Sequence, residues 1–322
     1  MTPLFPARFL AVGLCLFVAA LLFNWAVARL AEHFAPPQGQ FIEVDGLRLH
    51  YVDTGAKPGQ AGPPLLFLHG LMGQLGHFDY RLASLFPERR VILLDRLGSG
   101  YSQAAKSQGL KAQAELVADF LAALQAPRPL VVGHSFGGAV ALNLALDHPD
   151  SLCGLALLAP LTHQVDTPPS VFANLARDSA FGRWLFAWTL APLNAIMRAE
   201  ATGRIVFGPD SAPADFWNKG GGILALRPGN FITGSREMIA LPSEMPLLER
   251  RYPSLAAKTF ILFAKGDRVL DPNVQGPNLR DRAPNAELTL VEGGHMLPLT
   301  HPELTAAFIR TALVKSGCGG LL

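Results

Sequence analysis

Charge is scarce in this chain. Of its 322 residues only 16% are Asp, Glu, Lys or Arg, and 27 basic against 25 acidic side chains leave a net charge of +2. With so balanced a surface there is no basic field to neutralise a phosphate backbone, and nucleic acid is excluded as a partner. Cysteine is also rare. Cys15 sits in an apolar segment, Cys153 beside a short apolar run and Cys318 in a glycine-rich tail. Three such positions predict neither a disulfide framework nor a metal site. The glycine clusters around Gly98 and Gly220 lack the strand, helix and acidic partner of a dinucleotide site. No flavin or other cofactor motif is visible, so no cofactor is expected. No internal repeat or long low-complexity tract is present either.

Apolar residues, by contrast, make up 50% of the chain, and the mean hydropathy is +0.27. One segment supplies much of that. Phe9 to Ala28 carries no charge and is interrupted only by Asn24, long enough to cross a bilayer of about 30 Å. Two readings compete. An uncleaved single-pass anchor fits the length and Trp25 near one end, where aromatic side chains favour the interface. A cleaved signal peptide, leaving a secreted or periplasmic protein, fits Ala26-Val27-Ala28 after a hydrophobic stretch headed by Arg8. The length favours the anchor. Arg8 and Arg29 flank the segment almost evenly, so the positive-inside rule gives no orientation. Leu14 precedes Cys15 where a lipidation site needs a small residue.

Residues 1–40 are therefore expected to be a membrane segment with a linker, and the globular part starts near Phe41. Phe41–Val44 and Leu47–Tyr51 flank Asp45-Gly46, which predicts a hairpin on a two-residue turn. Short apolar runs then alternate with helical stretches: Leu65–Leu68, Val91–Leu94, Leu130–Val132, Leu155–Leu158, Phe260–Phe263 and Leu288–Val291. Repeated strand–helix alternation predicts an α/β fold, a mostly parallel central sheet covered by helices on both faces. Helices are expected over Leu110–Leu124 and Pro302–Val314. The rhythm breaks between about 161 and 251, where Trp184, Trp188 and Trp217 fall among helical patterns. That interval is expected to be a helical cap inserted into a core formed by residues 41–160 and 252–322.

The densest chemical signal is Gly133-His134-Ser135-Phe136-Gly137. It follows a β-branched apolar run and opens a small-residue helix, the context in which G-x-S-x-G turns a strand sharply into a helix and lifts the serine above the sheet. A serine hydroxyl is a weak nucleophile at neutral pH and needs a base, which a carboxylate must orient. In this topology acid and base should follow in that order, each on a loop after a strand. Asp267 follows Phe260–Phe263, and His295 follows Leu288–Val291 within Gly293-Gly294-His295. Asp271, four residues on and before Pro272, is better suited to a turn or cap. His33, His50, His77, His148, His163 and His301 lack the strand–Gly–Gly–His setting, and His134 should point away from Ser135 and shape the turn. Two backbone amides are expected to hold a developing oxyanion: that of Phe136, after the serine, and that of Leu71, in the loop His69-Gly70-Leu71-Met72-Gly73.

Taken together, Leu68-His69-Gly70, Asp95-Arg96-Leu97-Gly98-Ser99-Gly100-Tyr101-Ser102, Gly133 to Gly138, Asp267 and Gly294-His295 resemble the α/β-hydrolase superfamily over about residues 41–315. The resemblance implies a central sheet with a helical cap over a Ser135–His295–Asp267 triad, with Leu71 and Phe136 as oxyanion donors. It also implies that the Asp95–Ser102 motif shapes a loop without entering catalysis. Dehalogenase and most epoxide-hydrolase branches carry aspartate where Ser135 stands. With its N-terminal segment, the chain is similar to membrane-anchored lipases acting on monoacylglycerols and to bacterial esterases. The implied activity is hydrolysis of a carboxylic ester, with an apolar small-molecule ester as substrate. Carbon–carbon hydrolysis, amide hydrolysis, cofactor-free perhydrolysis or a non-catalytic binding role at the membrane are the alternatives. One departure is Ala264, where the family more often has glycine three residues before the acid.

Overall fold

The computed structural model describes residues 4–56 and 62–318. The outermost residues of the first and last expected segments, 1–3 and 319–322, lie outside these.

Eight strands form one sheet: β1 (Gln40–Val44), β2 (Leu47–Asp53), β3 (Leu65–Leu68), β4 (Val91–Leu94), β5 (Leu130–His134), β6 (Gly154–Leu158), β7 (Thr259–Ala264) and β8 (Ala286–Val291). Their spatial order is β1-β2-β4-β3-β5-β6-β7-β8. The first two strands pair antiparallel across the expected turn, where Asp45 and Gly46 both take positive φ; β2 joins β4 antiparallel, and all later pairings are parallel. The mixed, mostly parallel sheet is the α/β architecture expected from the sequence.

Burial explains why the inner strands read as unbroken apolar runs. Along β3, Leu66 and Leu68 enter one core and Leu65 and Phe67 the other; β7 divides Ile261 and Phe263 from Phe260 and Leu262 in the same way. A strand with period two that is covered on both faces has no polar side to show. After α1 (Leu4–Phe34) and the single turn α2 (Gly76–Asp79), the helices α3 (Leu110–Ala123) and α4 (Phe136–Asp147) cover the first face.

Between β6 and β7 the elements are helical throughout: α5 (Ala180–Thr189), α6 (Ala191–Met197), α7 (Ala199–Val206) and α8 (Pro228–Glu249), with 3-10 turns at Ser170–Leu175 and Gly222–Leu226. The chain then passes through β7, α9 (Gln275–Arg282), β8 and α10 (Leu297–Thr300). It ends in α11 (Pro302–Ser316), which covers the second face through Ile309 and Leu313.

One expectation from the sequence fails. Cys153, one residue before β6, and Cys318, just past α11, form a disulfide across a sequence separation of 165. Their spacing gave no hint of this because the sheet and α11 bring them together only after folding. In α1, residues Phe9–Phe34 have a mean hydropathy of 2.3 and are largely unburied.

Candidate active site

The site begins with the backbone of β5. The strand runs into Ser135, which adopts φ 53° and ψ −121° before α4 starts at Phe136. A non-glycine residue there is strained by about 1–3 kcal/mol, and its surroundings hold it. The Ser135 amide donates to the Leu158 carbonyl at 3.0 Å, and the Ser135 carbonyl accepts from Gly138 at 2.8 Å and Leu161 at 2.9 Å. Gly137 is required because a Cβ there would lie 2.2 Å from the Leu68 carbonyl oxygen. That proximity brings the start of α4 against the end of β3, and so against the loop that carries Leu71.

His295 and Asp267 come from the loops after β8 and β7. His295 Nδ1 donates to Asp267 Oδ2 at 2.7 Å. The other carboxylate oxygen accepts the amides of Val269 at 2.8 Å and Leu270 at 3.0 Å, so the buried carboxylate is bonded through both oxygens, as a buried charge requires. Asp271 instead accepts the Asn273 amide at 2.9 Å on the surface, a local turn. Ala264 does not disturb the loop: the Asp267 amide still closes onto its carbonyl at 3.2 Å.

His134 turns away from the serine. Its Nε2 donates to the His295 carbonyl at 3.0 Å and its ring lies 4.9 Å from the His295 ring, so it braces the histidine loop. Burial holds His69 and His134 well below the usual imidazole range and lowers His77 to about 4. All three are neutral at pH 7.

Ser135, His295, Leu71 and Phe136 line one cavity of about 1050 Å³, with Asp267 immediately behind His295. Among the described residues, neither the Leu71 amide nor the Phe136 amide donates to a protein acceptor. Gly70 permits this close assembly, since a Cβ there would stand 3.0 Å from Ser135 Cβ. Phe172, Phe186, Phe207, Phe216 and Phe231 make much of the wall greasy, and among the described lysines and arginines only Arg198 reaches it.

The sequence reading missed the support beneath the loop. Arg96, 1% exposed, donates from Nε to the His69 carbonyl at 2.7 Å and from Nη2 to the Gly70 carbonyl at 3.0 Å. Its Nη1 meets Glu237 of α8 at 2.5 Å, and the guanidinium lies 4.7 Å from the Phe136 ring centroid. The Arg96 amide donates to His69 Nε2 at 3.0 Å. One buried cation therefore touches both segments that offer free amides and ties them to α8. Arg96 stands inside the Asp95–Ser102 motif, but Glu237 lies 141 positions away, and no local pattern marks it.

Comparison with known proteins agrees with this architecture. The chain is 32% identical over 253 residues to the magnesium-chelatase 30 kDa subunit of Rhodobacter capsulatus, covering 76% of this chain and 84% of that one. It is 26% identical over 300 residues to a 2-hydroxymuconate semialdehyde hydrolase of Pseudomonas putida, covering 89% and 98%. A 37% match to the dihydrolipoyllysine-residue acetyltransferase component of the acetoin cleaving system of Pseudomonas putida covers 40% of this chain and spans only 34% of that protein. Among solved structures, a membrane phospholipase A superposes with a TM-score of 0.70 at 24% identity over 97% of both chains. A thermophilic esterase from Thermogutta terrifontis gives 0.68 at 22% identity over 86% of this chain and 99% of its own. The alpha/beta hydrolase fold family matches residues 63–302, and the chain belongs to that family.

Proposed function

We propose that the chain is a serine hydrolase that cleaves carboxylic esters with apolar acyl groups. One observation carries this: Ser135, on its strained turn, shares a cavity wall with His295, whose Nδ1 is bonded to Asp267. With the Nδ1 proton directed at Asp267, Nε2 keeps its lone pair for the serine hydroxyl. His295 takes that proton as Oγ attacks the ester carbonyl, and Asp267 stabilises the imidazolium. The carbonyl oxygen, now anionic, accepts from the Leu71 and Phe136 amides. Collapse expels the alcohol, which takes the proton from His295. Water, deprotonated by the same imidazole, then releases the acid from the acyl-enzyme.

The wall supports an apolar acyl group, since aliphatic and aromatic side chains dominate it and, among the described residues, one arginine against Asp166, Asp178 and Glu200 offers little to an anionic substrate. The 2-hydroxymuconate semialdehyde hydrolase relative, matched over nearly its whole length, favours a second reading, in which the same serine acts on a semialdehyde of that kind. A panel of both substrate types separates the two.

In this reading α1 is a retained anchor. Asn24 Nδ2 donates to the Thr189 carbonyl at 3.1 Å, Ala31 is buried, and Glu32 pairs with Arg227 at 3.2 Å; cleavage after Ala28 would strip Asn24 from its partner. The Cys153–Cys318 disulfide supports an oxidising compartment for the catalytic part.

The test is a fluorophosphonate followed by peptide mass spectrometry, on native and heat-denatured protein. An adduct on Ser135 in the native protein alone is expected, together with loss of ester turnover in a folded Ser135→Ala variant. Retained turnover in that variant would overturn the assignment.

A further inference from the structure

The surface beside α1 is unusual for a protein face that meets water. Residues 180–197, comprising α5, Leu190 and α6, contain one charged side chain, Arg183, and it is buried with its Nη1 on the Arg177 carbonyl. Six apolar side chains of the stretch turn outward: Phe181 is 70% exposed and Met197 77%, with Trp184, Leu190, Leu193 and Ile196 also exposed. Isolated apolar side chains on a surface need no explanation, but six on two consecutive helices whose one charged side chain is buried do.

The height of this face relative to α1 follows from one hydrogen bond. Asn24 lies inside the apolar run Phe9–Ala28, four residues from its end, and it bonds the carbonyl of Thr189 at the end of α5. At 1.5 Å per residue, Asn24 is about 6 Å from the end of the run. With that run in the hydrocarbon, the α5–α6 junction stands at the hydrocarbon edge. The exposed side chains of α1 nearby, Leu22, Phe23 and Trp25, continue the same greasy surface. Arg29 follows one turn later with its guanidinium 5.8 Å from the Trp25 ring centroid, where a cation and an aromatic ring favour the headgroup layer.

From this juxtaposition we infer that the face built by Phe181, Trp184, Leu190, Leu193, Ile196 and Met197 is seated in the lipid interface beside α1, as a second membrane contact. It rests on the anchor reading given above. Ile196 and its neighbour Ala195 are both exposed and line the cavity that holds Ser135, so the cavity's rim lies within the seated face. A long-chain ester dissolved in the membrane then reaches Ser135 sideways from the bilayer, without passing through water. Dry aromatic and aliphatic groups at the interface suit lipid, and the stretch, with Arg183 buried, offers no exposed charge to specify a protein partner.

The test uses the full-length protein in vesicles of phosphatidylcholine and phosphatidylglycerol. An environment-sensitive fluorophore is placed on Met197→Cys in a Cys15→Ser background, with Leu14→Cys reporting on α1 and the exposed Lys111→Cys on the core. Quenching by lipids spin-labelled near the headgroup should be several-fold stronger at 197 than at 111. Quenching at 14 without quenching at 197 refutes the second contact while leaving the anchor in place. No quenching at either position removes the anchor as well. Energy transfer between copies at 197 that rises with the protein-to-lipid ratio, without lipid quenching, assigns the face to a second copy and also refutes the proposal. A kinetic arm uses Phe181→Asp with Met197→Asp. Turnover of a long-chain ester embedded in vesicles should fall about tenfold or more through KM, as a charge resists insertion. Turnover of a water-soluble short-chain ester should hold, and equal loss on both esters counts against the proposal. Failure of the wild-type protein on both esters would instead refute the hydrolase reading.

Discussion

Removing the carboxylate from Glu237 would leave the Arg96 guanidinium buried with no counter-charge, because both side chains are almost wholly inaccessible to water. Breaking such a pair on one side costs about 3–5 kcal/mol. Arg96 keeps the His69 and Gly70 carbonyls and Gln113 as acceptors, so Glu237→Ala should fall near the lower end, about 3 kcal/mol. At about 2–4 °C per kcal/mol for a large domain, the melting temperature should drop by about 6–12 °C. Glu237→Gln keeps an acceptor for the guanidinium and should lose less. The informative variant is Arg96→Met with Glu237→Met. Exchanging a whole buried pair for apolar residues is often neutral for stability, so the melting temperature should largely return. Turnover should not return, because the His69 and Gly70 carbonyls lose the donors that hold their loop. A misplaced Leu71 amide has an upper limit of about 10²–10³ in turnover, the cost of losing one oxyanion donor. Calorimetry and steady-state kinetics on a soluble ester read the two effects separately, with the loss expected in kcat rather than KM. If the double methionine variant regains both stability and kcat, Arg96 does not position the loop.

Three further outcomes follow from the same geometry. Asp267→Asn should reduce kcat by about 10⁴, through loss of the imidazole orientation and charge stabilisation supplied by the carboxylate, whereas Asp271→Asn should leave kcat unchanged; equal effects would contradict the pairing with His295. Breaking the Cys153–Cys318 bridge with a reductant should lower the melting temperature, since cross-linking positions 165 residues apart is worth up to about 5 kcal/mol in the chain-entropy treatment; an unchanged transition after confirmed reduction would refute that contribution. Acid should destabilise the fold between pH 6.5 and 4. In that window the unfolded chain protonates His69, His77 and His134 while the folded chain, whose values are all lowered by burial, does not. For His77, at about 4 in the folded protein, the ceiling is about 3 kcal/mol, so His77→Gln should flatten the stability profile measured by denaturant titration across that range.

What could be read directly from the sequence was what short stretches of chain determine locally. A strand buried on both faces must be apolar at every position, so Leu65–Leu68 and Val91–Leu94 announce themselves without knowledge of their neighbours. The turn at Ser135 needs small residues close by in sequence, so its pattern is continuous. Asp267 and His295 were legible for another reason: in an open parallel sheet every strand ends on the same side, so loops after different strands converge even when nothing local says that they meet. The features that stayed hidden depend on where distant segments lie once packed. Cys153 and Cys318 meet because α11 runs back over the sheet, and Glu237 reaches Arg96 because α8 crosses above the loop after β3. In neither pair does one partner constrain the residue types around the other. The same distinction applies to the stretch from Phe181 to Met197. Its apolar content was plain in the sequence, but a core-facing helix and a lipid-facing helix can have the same composition. The contact between Asn24 and Thr189, 165 positions apart, sets that face level with the apolar run of α1, and the lipid-interface proposal rests on that placement rather than on composition.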